Sequence, residues 1–128
     1  MSDNASIKSF TDLNAWKEGH KLVLLVYAII KLFPQEERFG LVSQLGRAVV
    51  SITSNIAEGF SRYSPKDKMR FYYMALGSLT EVQNQILIAK DLKYTSKDDF
   101  DKIANQTVVV SKLLNGLIKS TRKMVHTS

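Results

Sequence analysis

The 128-residue chain has no cysteine. Disulfides and thiolate metal sites are therefore excluded, and the composition fits a reducing compartment. Two prolines and six glycines are too few for an all-β chain with many tight turns. There are only two histidines, His20 and His126. Neither stands three residues after a glutamate, as the Glu-x-x-His ligands of di-metal bundles do, and Glu58 and Glu81 alone cannot fill such a site. His20 reads as a residue at an interface or the core edge, and His126 as a tail residue. No serine has a histidine at a hydrolase-like spacing, and no Gly-rich phosphate loop appears. The expectation is no enzyme, no metal and no cofactor. The most apolar run, "LVLLVYAIIKLF" (22–33), is broken by Lys31 and falls short of the about 20 residues a membrane span needs. The opening "MSDNASIKSF" has no basic segment followed by an apolar run, so no secretion signal is read there. A cytoplasmic protein with no membrane contact is expected.

What is present is ordinary for a globular chain: 45% hydrophobic and 23% charged residues. At this length they make one domain over 1–128, with ends about 1–10 and 125–128 expected to be mobile. Apolar residues recur every three to four positions, and no strand-like alternation appears. Four helices follow. The first is predicted over about 12–33, capped by Thr11 or Asp12 and stopped by Pro34. The second runs from about 37 to 61, with Glu36 and Glu37 at its favourable N-terminus. The third starts at "SPKD", where Ser64 is an N-cap, Pro65 suits the first position and Asp67 follows the cap by three. It continues to about 92. The fourth starts at "SKDD", capped by Ser96, and runs to about 123. Short connections make successive helices antiparallel neighbours. The fold class is all-α, an antiparallel up-down-up-down four-helix bundle.

Core stripes are read as Leu13, Trp16, Val23, Tyr27 and Ile30 on the first helix, and Leu45, Val49, Ile52, Ile56 and Phe60 on the second. The third offers Tyr72, Leu76, Leu79, Val82 and Ile86. The fourth offers Phe100, Ile103, Val110, Leu114 and Leu117. The first helix also carries a second stripe: Leu22, Leu25, Val26, Ile29, Leu32 and Phe33. Burial on two sides predicts an oligomer with this helix near the subunit contact. The alternative is a helix wrapped deeply inside one subunit.

The net charge of +6 suggests a polyanionic partner, RNA or DNA. The alternative is a merely soluble basic protein. The charge is lopsided. Residues 62–73 hold Arg62, Lys66, Lys68 and Arg70 against Asp67, net +3, and residues 112–128 hold Lys112, Lys119, Arg122 and Lys123 without an acid, net +4. In the predicted bundle both segments lie at one end. At the other end, residues 31–38 and 90–102 carry six bases and six acids, net zero. Arg62, Lys66, Lys68, Arg70, Lys119, Arg122 and Lys123 are the candidate phosphate contacts, with little sequence readout. Tyr63, Tyr72 and Tyr73 at that end could stack on bases if exposed, although Tyr72 falls in the core phase.

A second feature lies in "VSITSNIAEGFSR" (50–62). At 100° per residue, Gln44, Arg47, Ser51, Asn55, Glu58 and Arg62 share one face of the second helix, beside its apolar stripe. The third helix has a matching polar break at Ser78 and Glu81. With the turn near 63–65, residues whose numbers sum to about 128 lie at one level. Arg47 then meets Glu81, Ser51 lies near Ser78 or Gly77, and Glu58 lies near Arg70. The stripe reads as a structural polar seam that fixes register, because a buried charge needs a partner. A ligand site is the alternative.

"FTDLNAW" (10–16), "FGLVSQLGRAVVSITSNIAEG" (39–59) and "KMRFYYMALGSLTE" (68–81) resemble the bacterial 23S rRNA intervening-sequence protein family, also called four-helix-bundle proteins. The likeness covers nearly the whole chain and carries over to Gln44, Arg47, Ser51, Asn55, Glu58, Gly59, Gly77, Ser78 and Glu81. It implies an antiparallel four-helix bundle assembled as a homopentameric ring or barrel, and it does not imply an enzymatic activity. It also implies kinship with the basic pentameric accessory proteins of diversity-generating retroelements, which work with a reverse transcriptase and nucleic acid. Two positions depart from the family pattern: Gly46 stands where a second arginine is usual, and Thr53 where proline is frequent. The resulting expectation is a non-catalytic, oligomeric nucleic-acid-binding protein. The alternative is a protein-interaction scaffold or accessory subunit.

Overall fold

The computed structural model describes residues 7–127, with side chains through Val125. Residues 1–6 and 128, part of the ends expected to be mobile, lie outside the described residues, as does the side chain of His126. Four helices, α1 (Asn14–Ile30), α2 (Leu41–Ser61), α3 (Pro65–Asp91) and α4 (Lys97–Thr127), account for most of the chain. Among the described residues there is no strand, and no helix is long and apolar enough to cross a membrane.

Local chemistry explains most boundaries. The Ser64 hydroxyl accepts from the Asp67 backbone N–H at 3.1 Å, and Pro65 opens α3. Ser96 accepts from the Asp99 N–H in the same way. Each bond satisfies a donor that a helix N-terminus leaves free. The start of α1 differs from the prediction. Ser9, not Thr11, is the capping residue, and it caps a short 3-10 turn, Phe10–Asp12. Asp12 returns bonds to the N–H groups of Lys8 and Ser9. Those bonds hold its carboxyl below the usual carboxylate range. α1 also ends at Ile30, and α2 starts at Leu41, because a second 3-10 turn, Gln35–Glu37, fills the connection. Glu37 leads into α2 rather than standing in it, and its carboxylate accepts from the Leu41 N–H and the Tyr94 hydroxyl.

The helices pack in cyclic order α1–α2–α3–α4. Contacts between neighbours run in opposite chain directions. A Cβ on Gly19 of α1 would touch Thr53 of α2, whereas one on Gly46 would touch Tyr27 and Ile30. Ser51 meets Ser78 across α2 and α3, while Gln44 meets Gln85. Gln83 of α3 donates to Thr107 of α4, and Arg122 near the end of α4 donates to Tyr73 near the start of α3. The α2–α3 turn and the end of α4 therefore share one end of the bundle.

The predicted core of α2 is buried at Leu45, Val49, Ile52 and Ile56, and that of α3 at Tyr72, Leu79, Val82 and Ile86. In α4, Ile103, Val110 and Leu114 are buried, joined by Ile118. In α1 the structure buries parts of both stripes: Leu13 and Ile30 of the first, and Leu22, Val26, Ile29 and Phe33 of the second. The first stripe needs correction at Tyr27, which faces outward at 43% exposure. A helix apolar around most of its circumference has no unique phase, and packing against α2 and α4 draws on both stripes. Much of the apolar excess that suggested a subunit contact is thus buried within one chain. Leu24, Tyr27 and Leu32 are what remain exposed.

Candidate nucleic-acid interface

The α2–α3 turn is built on Tyr72. A Cβ on Gly59 would come within 2.6 Å of the Tyr72 ring. Only glycine there lets α3 approach the last turn of α2 this closely. Burial pushes the Tyr72 hydroxyl up to about 12. Tyr72 therefore belongs to the core and offers no face to a base. Tyr63, in the turn itself, is 100% exposed, and Tyr73 is partly exposed.

Around this turn the seven predicted cations fall into two groups. Four are tied to the fold. Lys68 Nζ donates at 2.7 Å to the carbonyl of Phe60, near the C-terminus of α2, and lies over the Phe60 ring. Desolvation lowers its pKa. Arg62 pairs with Glu58 at 3.1 Å, and Arg70 pairs with Asp67 at 3.8 Å. Both guanidinium groups lie over the Phe71 ring, at 4.5 and 4.7 Å from its centre. Arg62 Nε is buried without a hydrogen-bond partner. Arg122 bonds Tyr73. The other three, Lys66, Lys119 and Lys123, are exposed and make no ion pair, hydrogen bond or ring contact among the described residues. The predicted approach of Glu58 to Arg70 is not found. Each takes a charge partner on its own helix instead, Arg62 four residues on and Asp67 three residues back, the spacings at which side chains on one helix meet.

The polar seam is made in part. Ser51 and Ser78 hydroxyls are 2.8 Å apart, and Gln85 donates weakly to Gln44 at 3.5 Å. Asn55 turns back onto Ser51 of its own helix. The predicted Arg47–Glu81 ion pair is absent. Both residues are exposed and line a cleft of about 320 Å³ between α2 and α3, together with Gln44, Ser51, Ser78 and Gln85. Level matching placed these residues correctly along the helix axes. It carried no information about how far each side chain leans from the seam. Gln85 was missed, although it extends the 78, 81 pattern by four residues.

The two departures noted in the sequence have structural consequences. Gly46 is buried, and a Cβ there would meet the Tyr27 hydroxyl at 3.4 Å. Thr53 bonds the Val50 carbonyl within α2. His20 stacks on Trp16 with ring centres 4.8 Å apart. Among the described residues no group of three His, Asp or Glu side chains converges as a metal site would require.

Comparison with known proteins adds a family. The family described as 23S rRNA-intervening sequence protein matches residues 11–116. A crystal structure of a protein with unknown function from the S23 ribosomal protein family of Bacteroides thetaiotaomicron is similar at a TM-score of 0.76 and 22% identity. The likeness covers 82% of this chain and 98% of that one, and at this identity it supports the four-helix fold alone. No curated protein matches the chain.

Proposed function

Because the chain belongs to the 23S rRNA-intervening sequence protein family, we propose that it is a non-catalytic, oligomeric nucleic-acid-binding protein whose polyanion is RNA. One observation carries this reading. Lys66, Lys119 and Lys123 stand unpaired at the end of the bundle where Tyr63 is fully exposed. Free ammonium groups neutralise phosphates with release of counterions, and an exposed aromatic ring accepts a stacked base. Arg62, Arg70 and Arg122 add positive potential to the same surface while held by their own contacts. Lys68 serves chiefly to cap α2.

The oligomer is part of the proposal. Tyr27 and Val50 border a groove on the α1–α2 side, and Leu87 and Val108 border another on the α3–α4 side. The cyclic packing order puts these grooves on opposite faces. Two unlike surfaces that dock on each other build head-to-tail rings. The homopentamer implied by the family resemblance is such a ring, with α1 beside the contact. Kinship with retroelement accessory proteins remains part of the same reading. Exposed apolar residues such as Leu24 (59% exposed) favour the second reading, a scaffold that docks another protein.

Fluorescence anisotropy with an unstructured RNA and a duplex, titrated over salt, tests the function. Binding that weakens steeply with salt, and weakens when Lys66, Lys119 and Lys123 are reversed to Glu, is the expected result. No binding at low salt overturns the RNA reading in favour of the scaffold. Native mass spectrometry tests the ring, and a monomer overturns it.

A further inference from the structure

The unmade Arg47–Glu81 pair leaves a site. Two rungs join α2 to α3, Ser51 to Ser78 and Gln44 to Gln85. On each helix they are seven residues apart, about 10 Å at 1.5 Å per residue. Between the rungs, Arg47 stands on the α2 wall and Glu81 on the α3 wall of the cleft of about 320 Å³. Neither forms a hydrogen bond or an ion pair among the described residues. Gln85 lines the same cleft, is only 7% exposed, and its Oε1 is buried without a partner.

The chemistry of the walls narrows the occupant. Arg47 asks for an anionic acceptor. Glu81 asks for a donor-rich, cationic group. A simple anion is repelled by Glu81, and a simple cation by Arg47. An apolar group leaves both unsatisfied. We propose that the cleft binds the zwitterionic head of a free α-amino acid. The carboxylate pairs with the Arg47 guanidinium, which suits it in two-bond geometry. The ammonium, with three donors, pairs with the Glu81 carboxylate. The Ser51–Ser78 rung bounds one end of the cleft, and the cleft volume lies within the range of small-molecule sites. This site is independent of the RNA reading, because it faces outward between α2 and α3 rather than at the basic end.

The test uses the full chain and saturation-transfer NMR with the twenty free amino acids, one at a time. At least one uncharged amino acid is expected to bind in the millimolar range or tighter, on the order of 4 kcal/mol. Its carboxamide and its N-acetyl derivative each remove one charge, and each is expected to bind about tenfold or more weakly. Glu81→Gln changes an exposed side chain and should leave the thermal midpoint nearly unchanged, and Arg47→Gln, which also borders the α1–α2 groove, should leave the native mass of the assembly unchanged. Each is expected to weaken binding about tenfold or more, whereas Lys66→Gln leaves it unaltered. The proposal is overturned if no amino acid binds, if the amide and N-acetyl compounds bind equally well, or if binding survives both cleft variants. The first outcome is also the result expected of a cleft bridged only by water or covered by a second copy of the chain.

Discussion

The two ends of the bundle use charge differently. At the α2–α3 end, charged side chains surround a tightly packed turn: Tyr72 seated on Gly59, Lys68 on the Phe60 carbonyl, and Arg62 and Arg70 over Phe71. At the opposite end the balance is near neutral, and one acid does several jobs. Glu37 bonds the Leu41 N–H and the Tyr94 hydroxyl, and Tyr94 packs beside Phe33. Lys97 pairs with Asp101 at 2.8 Å. The lesson is that a count of charges is not a count of available charges. Of the seven cations assigned to the basic end, Lys66, Lys119 and Lys123 alone have no partner among the described residues.

The sharpest way to break this contrast is at its base. Tyr72→Ala removes the ring that Gly59 accommodates and should cost about 3–5 kcal/mol, measured by denaturant unfolding. A loss below 1 kcal/mol means the turn does not depend on that packing. Next in size is the proposed function. Reversing Lys66, Lys119 and Lys123 together should lower RNA affinity about 100-fold at moderate salt and reduce the salt slope by about 2 or more. Stability should stay within about 0.5 kcal/mol of the parent, as for surface substitutions. Equal affinity for parent and variant would show that the unpaired lysines are bystanders.

A smaller effect compares tied charges across the ends. Lys68→Met removes a charge-assisted bond to backbone and should cost about 1.5–3 kcal/mol, whereas Glu37→Gln keeps an acceptor for the Leu41 N–H and should cost about 1 kcal/mol. The Lys68 variant should change RNA affinity much less than Lys66→Met does. If Lys68→Met is the more damaging to binding, Lys68 leaves its carbonyl for phosphate. The smallest effect is at the N-terminal 3-10 turn. The Asp12 pKa lies below its ordinary value because the Lys8 and Ser9 N–H groups bond its carboxylate. A depressed carboxyl stabilises the fold above its unfolded pKa and loses that contribution as pH falls through the folded value. The exchange protection factors of the Lys8 and Ser9 amides, corrected for the intrinsic pH dependence of exchange, should therefore fall in acid while those of α2 hold. Protection factors that do not change with pH would remove Asp12 from the cap.

Much of the fold was legible because its determinants are local. Ser64–Pro65 and Ser96 mark helix starts by hydrogen bonds that span three residues. The apolar periods of α2, α3 and α4 mark their buried faces. In α1 Tyr27 alone of the first stripe faces outward, because its two apolar stripes are equally good locally and the neighbours that pack on it bury parts of each. The seam shows a similar divide. Helical rise places Ser51 opposite Ser78, but whether Arg47 reaches Glu81 depends on side-chain directions set by the packed pair. Family membership likewise came from matched residues, and those residues do not name a partner.

The sequence by itself determined four helices, the caps of α3 and α4, most of the core and the uneven charge, since these follow from spacing and composition along the chain. Tertiary structure decided which members of the two α1 stripes face inward, which cations are free, and that the α2–α3 seam holds a cleft rather than an ion pair. Those outcomes depend on distances between segments far apart in the chain, where a shift of a few ångströms turns a salt bridge into two unpaired charges.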